Sequence, residues 1–402
     1  MHTKIFTFAV LTLIILFGAY LRFANLDGNP NGLYVDEAST AVNAWSILHT
    51  GKDEYGKDFP LVFRFLGSYT PPLYTFLTSA VMFLNGYSIE STRLISSISG
   101  VILMIVFFFI LKSLKLYKSK LTAIVATALF AVSPWAIFYS RIGYEINLAF
   151  LLYSLGVLFL SLSFNNSRNL IPGLIFLSLS TNAYHSERLL SHITIICFFI
   201  LFRKTFLIRK NVKVLTTGLL LYILILIPQI LIFFTPANTS RGLGLFYSGE
   251  LMRQIQELSF LPVFLSAPIA FTREFLSQYF AYFSPRNLFF QGDSDLQRSL
   301  PELSVFYAWQ VIFYITGLII LINFRGLIVR GFLTSDFSLA SFQPLRILMP
   351  RKTVTLLRLH PRTKVRGFGE AVIKTIKLHS SKFILMLFFV TPIPAALTGD
   401  PF

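Results

Sequence analysis

The sequence predicts an all-α, polytopic membrane protein, and three observations carry that prediction. Of its 402 residues, 54% are hydrophobic and only 13% charged, where a soluble domain is about a quarter charged. Long apolar runs recur from one end of the chain to the other and leave no interval for a large soluble domain. The net charge of +17 gathers in clusters between those runs, the pattern of basic loops held on the cytoplasmic face rather than of a nucleic-acid-binding surface. Cys197 is the single cysteine and lies within an apolar run, so no intrachain disulfide forms. The first apolar run follows one lysine and ends in "GAYLRFANLDG" without a small-residue cleavage site, and reads as a retained span.

A helical span needs about 20 mostly apolar residues to cross roughly 30 Å of hydrocarbon. The runs 5–21, 94–111, 121–138, 146–164, 214–234 and 304–324 meet that length, and 170–183, 189–202 and 383–397 are shorter candidates. One further run, 71–84, opens with Pro71-Pro72 and has 14 residues. If it spans, Lys112, Lys115, Lys118 and Lys120 fall outside. If it lies in the interface, every Lys/Arg cluster falls inside, including Arg203, Lys204, Arg209, Lys210 and Lys213 and the loop 325–382. The positive-inside rule favours the second arrangement. About nine transmembrane helices are therefore expected, with the N-terminus cytoplasmic and interfacial helices in the first outer loop. The expected organisation is a transmembrane module over 1–324, a basic cytoplasmic loop over 325–382, and a last span over 383–402. The module has outer loops at 22–93 and 235–303. Loop 325–382 carries twelve basic residues against Asp336 and Glu370, and mixes them with apolar residues as a segment drawn to anionic lipid does.

Four stretches on the outer side carry chemistry. In "YVDEASTAVNAW", Asp36 and Glu37 open a segment whose Ala38, Ala41, Val42, Trp45 and Leu48 recur at helical spacing. One reading is a cap plus a charge at the positive end of the helix. The other is a general base kept usable by a partly apolar setting. In "YSRIGYEINLAF", Arg141 and Glu145 lie on a short turn between spans, where ionisable groups are costly; they pair with each other or serve a substrate. In "TNAYHSERLL", Tyr184, His185, Glu187 and Arg188 form another such turn. Arg188 suits a phosphate oxygen, and a belt of Tyr and Arg at the membrane interface is the alternative. "GSYTPPLYTF" starts a helix abruptly after its two prolines, suited to folding back toward the acid pair. No nucleotide-binding loop, zinc signature or serine-hydrolase elbow occurs. No cofactor is expected, and a divalent metal has no ligand spacing to support it.

These features, in this order, resemble the polytopic glycosyltransferases of the GT-C class. The resemblance is closest to the bacterial branch of family 39, the dolichyl-phosphate-mannose–protein mannosyltransferases. It rests on "YVDEA", "YTPPLYTFL", "IESTRLISSISG", "FYSRIGYEINLAFLLYSLG", "NAYHSERLL" and "TPIPAALTGD", and covers residues 1 to about 235 best. It implies an inverting glycosyltransferase of the plasma (inner) membrane with an extracytoplasmic site. That site would move a sugar from a polyprenyl-phosphate donor to a protein, lipid or glycan acceptor. Asp36 would be the catalytic base with Glu37 beside it, and Glu145 the acid of the second outer loop. Arg141, Tyr184, His185 and Arg188 would meet the donor's phosphate and sugar. The family pattern is expected to continue past "GDPF", so a truncated or rearranged C-terminal part is expected here. The competing classes are a polytopic transporter or flippase, whose mark is broken mid-span segments in related halves, and a lipid-linked oligosaccharide polymerase.

Overall fold

The computed structural model describes residues 2–65, 68–114, 120–233, 235, 249–291, 304–319, 379 and 382–393. Among these the chain is helical apart from a two-stranded antiparallel hairpin, β1 (Phe63–Phe65) with β2 (Ser68–Thr70). The first helix, α1 (His2–Phe23), turns Phe6, Phe8, Leu13, Leu16 and Tyr20 outward. A helix apolar on its exposed face is solvated by lipid. A loop leads from it to α2 (Val35–Thr50), which ends at Gly51 in the left-handed region (φ 69°), a conformation glycine reaches without cost. Trp45 stacks edge-on with His49 and Tyr87 on the outer side of α2, as amphipathic rings do at a membrane interface.

The run after Pro71-Pro72 becomes α3 (Leu73–Asn85), a helix of 13 residues. At 1.5 Å per residue it extends about 20 Å, too short to cross. It folds back onto α2 and onto α4 (Ile89–Ser113), and the buried Tyr74 hydroxyl donates to Thr92 O at 2.9 Å.

Helix α4 buries a stripe of small residues, Ser91, Thr92, Ser96, Ser97, Ser99 and Gly100. Such stripes let helix backbones approach closely in a membrane. Here the partner is a broken span, α5 (Lys120–Ala131) followed by α6 (Pro134–Arg141), bent by 53° at the break before Pro134. Ser96 Oγ donates to Tyr139 O and Ser97 Oγ to Ser140 O, both at 2.7 Å. A Cβ at Gly100 would stand 2.0 Å from Ser140 Oγ. Two buried arginines close the same junction from opposite sides. Arg22 on α1 donates to Ala131 O at 3.0 Å, where α5 ends. Arg141 on α6 donates to Leu21 O and Ala24 O at 2.8 and 2.7 Å, where α1 ends. A helix C-terminus, with orphaned carbonyls and partial negative charge, is where a guanidinium belongs.

The remaining bundle is α7 (Glu145–Ser163), α8 (Leu170–Thr181), α9 (His185–Phe206) and α10 (Val212–Phe233), with α8 packed between α7 and α10. Its main core includes Leu160, Leu170, Leu174, Leu177, Phe198 and Phe206. Phe383, fully buried, returns from the far end of the chain into that cluster.

The sequence suggests about nine transmembrane helices. Among the described residues five are long and apolar enough, or six if the bent pair counts as one span. Run 170–183 forms only the 12 residues of α8, about 18 Å, and runs 304–324 and 383–397 extend outside the described residues. Loop 325–382 lies outside them too, except at 379 and 382.

Because Gly100 touches both Ser140 and Arg22, Gly100→Leu overpacks the α4–α6 contact and is expected to cost about 1–3 kcal/mol or more. Thermal unfolding in detergent should drop accordingly, and an unchanged midpoint would show that the helices do not approach this closely.

Candidate functional site

The acid pair sits in the first turn of α2. Adjacent residues on a helix point about 100° apart, so the two carboxylates face different surroundings. Glu37 turns inward, 1% exposed. Its Oε2 accepts the N–H of Tyr34 at 2.9 Å, so Glu37 rather than Asp36 satisfies the helix start. Its other partner is Arg93 of α4, itself fully buried, with Nε on Oε1 at 2.8 Å and NH2 on Oε2 at 3.1 Å. The N–H of Gly143 completes the shell on Oε1. Arg93 then uses its remaining donors on the carbonyls of Leu26 and Pro30, each at 2.9 Å, and of Gly32. One residue pair therefore joins the α1–α2 loop, α2, α4 and the turn between α6 and α7.

Asp36 turns the other way, half-buried, into a cleft open to solvent. The cleft is narrow, with about 10 Å³ of space, room for about one water, and is lined by Asp36, Ser39, Thr40, Asn43, Phe63, Phe65, Thr70, Thr75 and Glu145. The first four follow the i, i+3, i+4, i+7 stripe of one helix face. Asn43 is held by Glu54, whose N–H it accepts at 3.0 Å and whose Oε1 it meets at 3.0 Å. The hairpin supplies Phe63, Phe65 and Thr70, α3 supplies Thr75, and Glu145 opens α7 at its positive end.

The structure thus brings Asp36 and Glu145 into one cleft. Tyr184 and His185, on the turn into α9, do not line it but touch Tyr144 and Tyr69, the chain neighbours of Glu145 and Thr70. The Tyr184 ring meets Tyr144 edge-on at 6.1 Å, and Tyr144 meets Tyr34 at 6.5 Å. Burial, and then Tyr184 and the acids, hold the Tyr144 phenol well above its ordinary range, so it stays a neutral hydroxyl. His185 Nε2 lies 2.6 Å from Tyr69 O on the hairpin. The segment 249–291 also arrives here: Tyr282, its phenol pushed up to about 12 by burial, feels Tyr184. Arg188 stands one turn into α9, half-buried. Glu37 and Arg141 lie behind the cleft rather than in it. Arg141 makes no ion pair with Glu145; it reaches the carbonyls of Leu21, Ala24, Asn25 and Asn29.

Arg93 is the residue that sequence reasoning passes over. Its signal was available: a charge one turn inside an apolar helix, "IESTRLISSISG", where an unpaired charge is costly.

No family model matches the chain, and no curated protein matches it. Two crystal structures of ArnT from Cupriavidus metallidurans are similar to it, one bound to undecaprenyl phosphate and one in the apo state. Their TM-scores are 0.43 and 0.44, both at 14% identity over 96% of this chain and 77% of the other. A likeness of that size fixes neither the fold nor the chemistry, and the site stands on its own geometry.

Removing one partner of a buried ion pair strands the other charge, at about 3–5 kcal/mol. Arg93→Met should therefore lower thermal stability strongly, while Asp36→Asn, at a half-exposed position, should stay within about 0.5 kcal/mol. Unfolding of both variants in detergent checks the contrast, and equal effects would refute this division between the two acids.

Proposed function

We propose that the protein is an inverting membrane glycosyltransferase. It transfers a sugar from a polyprenyl-phosphate donor to an acceptor hydroxyl on the extracytoplasmic side. The observation that carries this reading is the pairing of one accessible and one buried carboxylate, Asp36 and Glu145, in a single cleft at one end of an apolar bundle. The pattern of motifs described above points the same way.

In this mechanism Asp36 takes the proton of the acceptor hydroxyl. The acceptor oxygen attacks the anomeric carbon from the face opposite the phosphate, and the bond from that carbon to the phosphate oxygen breaks. The electron pair leaves with the lipid phosphate, and the anomeric centre inverts. Charge developing on the leaving phosphate needs donors beside it; Tyr184, His185 and Arg188, at the start of α9, take that role in this proposal. Glu145 orients the sugar and acceptor hydroxyls. Glu37 acts as a positioning residue, holding the turn that carries Asp36, and Arg141 does the same for the end of α1.

General-base catalysis contributes roughly 10²–10⁴-fold, so Asp36→Asn should lower transfer by that order without loss of membrane insertion. Membranes holding either form are incubated with radiolabelled polyprenyl-phosphate sugars and label leaving the lipid is followed. Equal transfer by both forms would remove Asp36 from the mechanism.

A further inference from the structure

Two helices of the segment 249–291 are packed in a way that water does not favour. The shorter, α11 (Gly249–Glu257), exposes Glu250 and Glu257, each 2.6 Å from Arg253. The longer, α12 (Val263–Ala281), turns its polar side inward. There Glu274 accepts from Gln254 of α11 at 2.9 Å and from Gln278 at 2.7 Å, and both glutamines are buried. The other side of α12 carries Leu265, Ile269, Leu276 and Phe280, each 43–63% exposed. Positions i, i+4, i+11 and i+15 fall on one stripe of a helix. In water an amphipathic helix buries its apolar stripe and exposes its polar one; here the two are exchanged.

The neighbours of the stripe show what covers it. At its end the Tyr279 hydroxyl donates to Phe389 O at 2.9 Å, the Phe283 ring meets Phe388 at 4.7 Å, and the Tyr314 hydroxyl donates to Phe283 O at 2.8 Å. These partners belong to the apolar runs 383–397 and 304–324. The second run exposes Ile312, Phe313, Ile315 and Ile319, as a helix solvated by lipid does. The stripe therefore continues a lipid-facing surface. Pro268, Ile269, Thr272, Arg273 and Leu276 line an open groove on α12 with about 390 Å³ of space. Arg273, Glu274 and Gln278 interrupt the helix, and it is not among those apolar enough to cross. Segment 249–291 carries three arginines and three glutamates, so it has no net charge to draw it to an anionic surface. Tyr282, just past α12, neighbours Tyr184, so the helix ends on the side of the bundle that carries the cleft.

We propose that α12 lies in the plane of the membrane interface on the cleft side of the bundle, with Leu265, Ile269, Leu276 and Phe280 seated against the acyl chains of that leaflet and α11 held on its water side. Apolar area rather than charge holds it there. The segment is then a membrane-seated wall beside Tyr184, not a loop carried in water. This surface goes beyond the glycosyltransferase reading and does not depend on it.

The test uses the full chain in phosphatidylcholine nanodiscs, with Cys197→Ser and one of Ile269→Cys, Leu276→Cys or Gln256→Cys labelled with bimane. Gln256 stands on the exposed side of α11 and is the water-side control. Nitroxides on the lipid chains should quench bimane at 269 and 276 several-fold more than iodide does, and iodide should prevail at 256. Because the helix lies flat, shallow and deep nitroxides should rank the two stripe positions alike, and added phosphatidylglycerol should change nothing. Iodide prevailing at 269 and 276 would put the stripe in water and overturn the proposal. Protection from both quenchers would assign the stripe to protein, a second copy included, and overturn it as well. So would a depth difference between 269 and 276, about 10 Å in a helix that crosses, or lipid quenching that requires phosphatidylglycerol. Sugar transfer does not enter the readout, so failure here leaves the glycosyltransferase reading untouched.

Discussion

The contact on which the site depends is the buried pair of Glu37 and Arg93. Taking two charges out of water costs several kcal/mol per ion, and their attraction repays this only when the remaining donors and acceptors are satisfied too. Here they are: the guanidinium gives two hydrogen bonds to the carboxylate and three to backbone carbonyls, and the carboxylate also receives two backbone N–H groups. The backbone partners belong to segments far apart in sequence, near 26–34 and at 143. A pair so fully bonded has one geometry, and the segments must come together to provide it. A Cβ at Gly143 would stand 3.0 Å from Thr92 O and 3.3 Å from Glu37 Oε1, so this turn meets the pair through a residue without a side chain.

From that frame the two adjacent acids acquire different characters. Glu37 is enclosed and neutralised, while Asp36, one residue earlier on the same turn, faces a solvent-open cleft. The buried arginines near the junction of α1, α4, α5 and α6 extend the same logic. Arg22 and Arg141 meet the orphaned carbonyls of helices that end inside the bundle, where water is scarce and an unsatisfied carbonyl is costly. The 53° bend before Pro134 frees backbone groups at Ala131, and Arg22 accepts the task of covering them.

Much of this was legible in the sequence. The apolar runs marked the long helices, and the doubled proline placed the start of α3 and its failure to span. Asp36 and Glu145 line one cleft, and Tyr184 and His185 touch the chain neighbours of its lining residues. What stayed hidden depended on tertiary partners. A composition window sees 121–138 as one run, because Pro134 breaks the ladder without changing the hydropathy. Run 170–183 looks like a short span, but it ends as a 12-residue helix between α7 and α10. Asp36 and Glu37 cannot be told apart by type or position; only Arg93, distant in sequence, decides which turns inward. Arg141 and Glu145 are four residues apart and look like a pair, yet the ends of α1 claim the arginine.

The central claim is that the Glu37–Arg93 pair holds Asp36 and Glu145 in one cleft. The most direct measurement is crosslinking by a short bismaleimide of cysteines placed at positions 36 and 145, in a Cys197→Ser background, with Arg93 present and with Arg93→Met. The account predicts efficient crosslinking with Arg93 and its loss, in inserted protein, without it. Failure to crosslink in either form, or equal crosslinking in both, would contradict it.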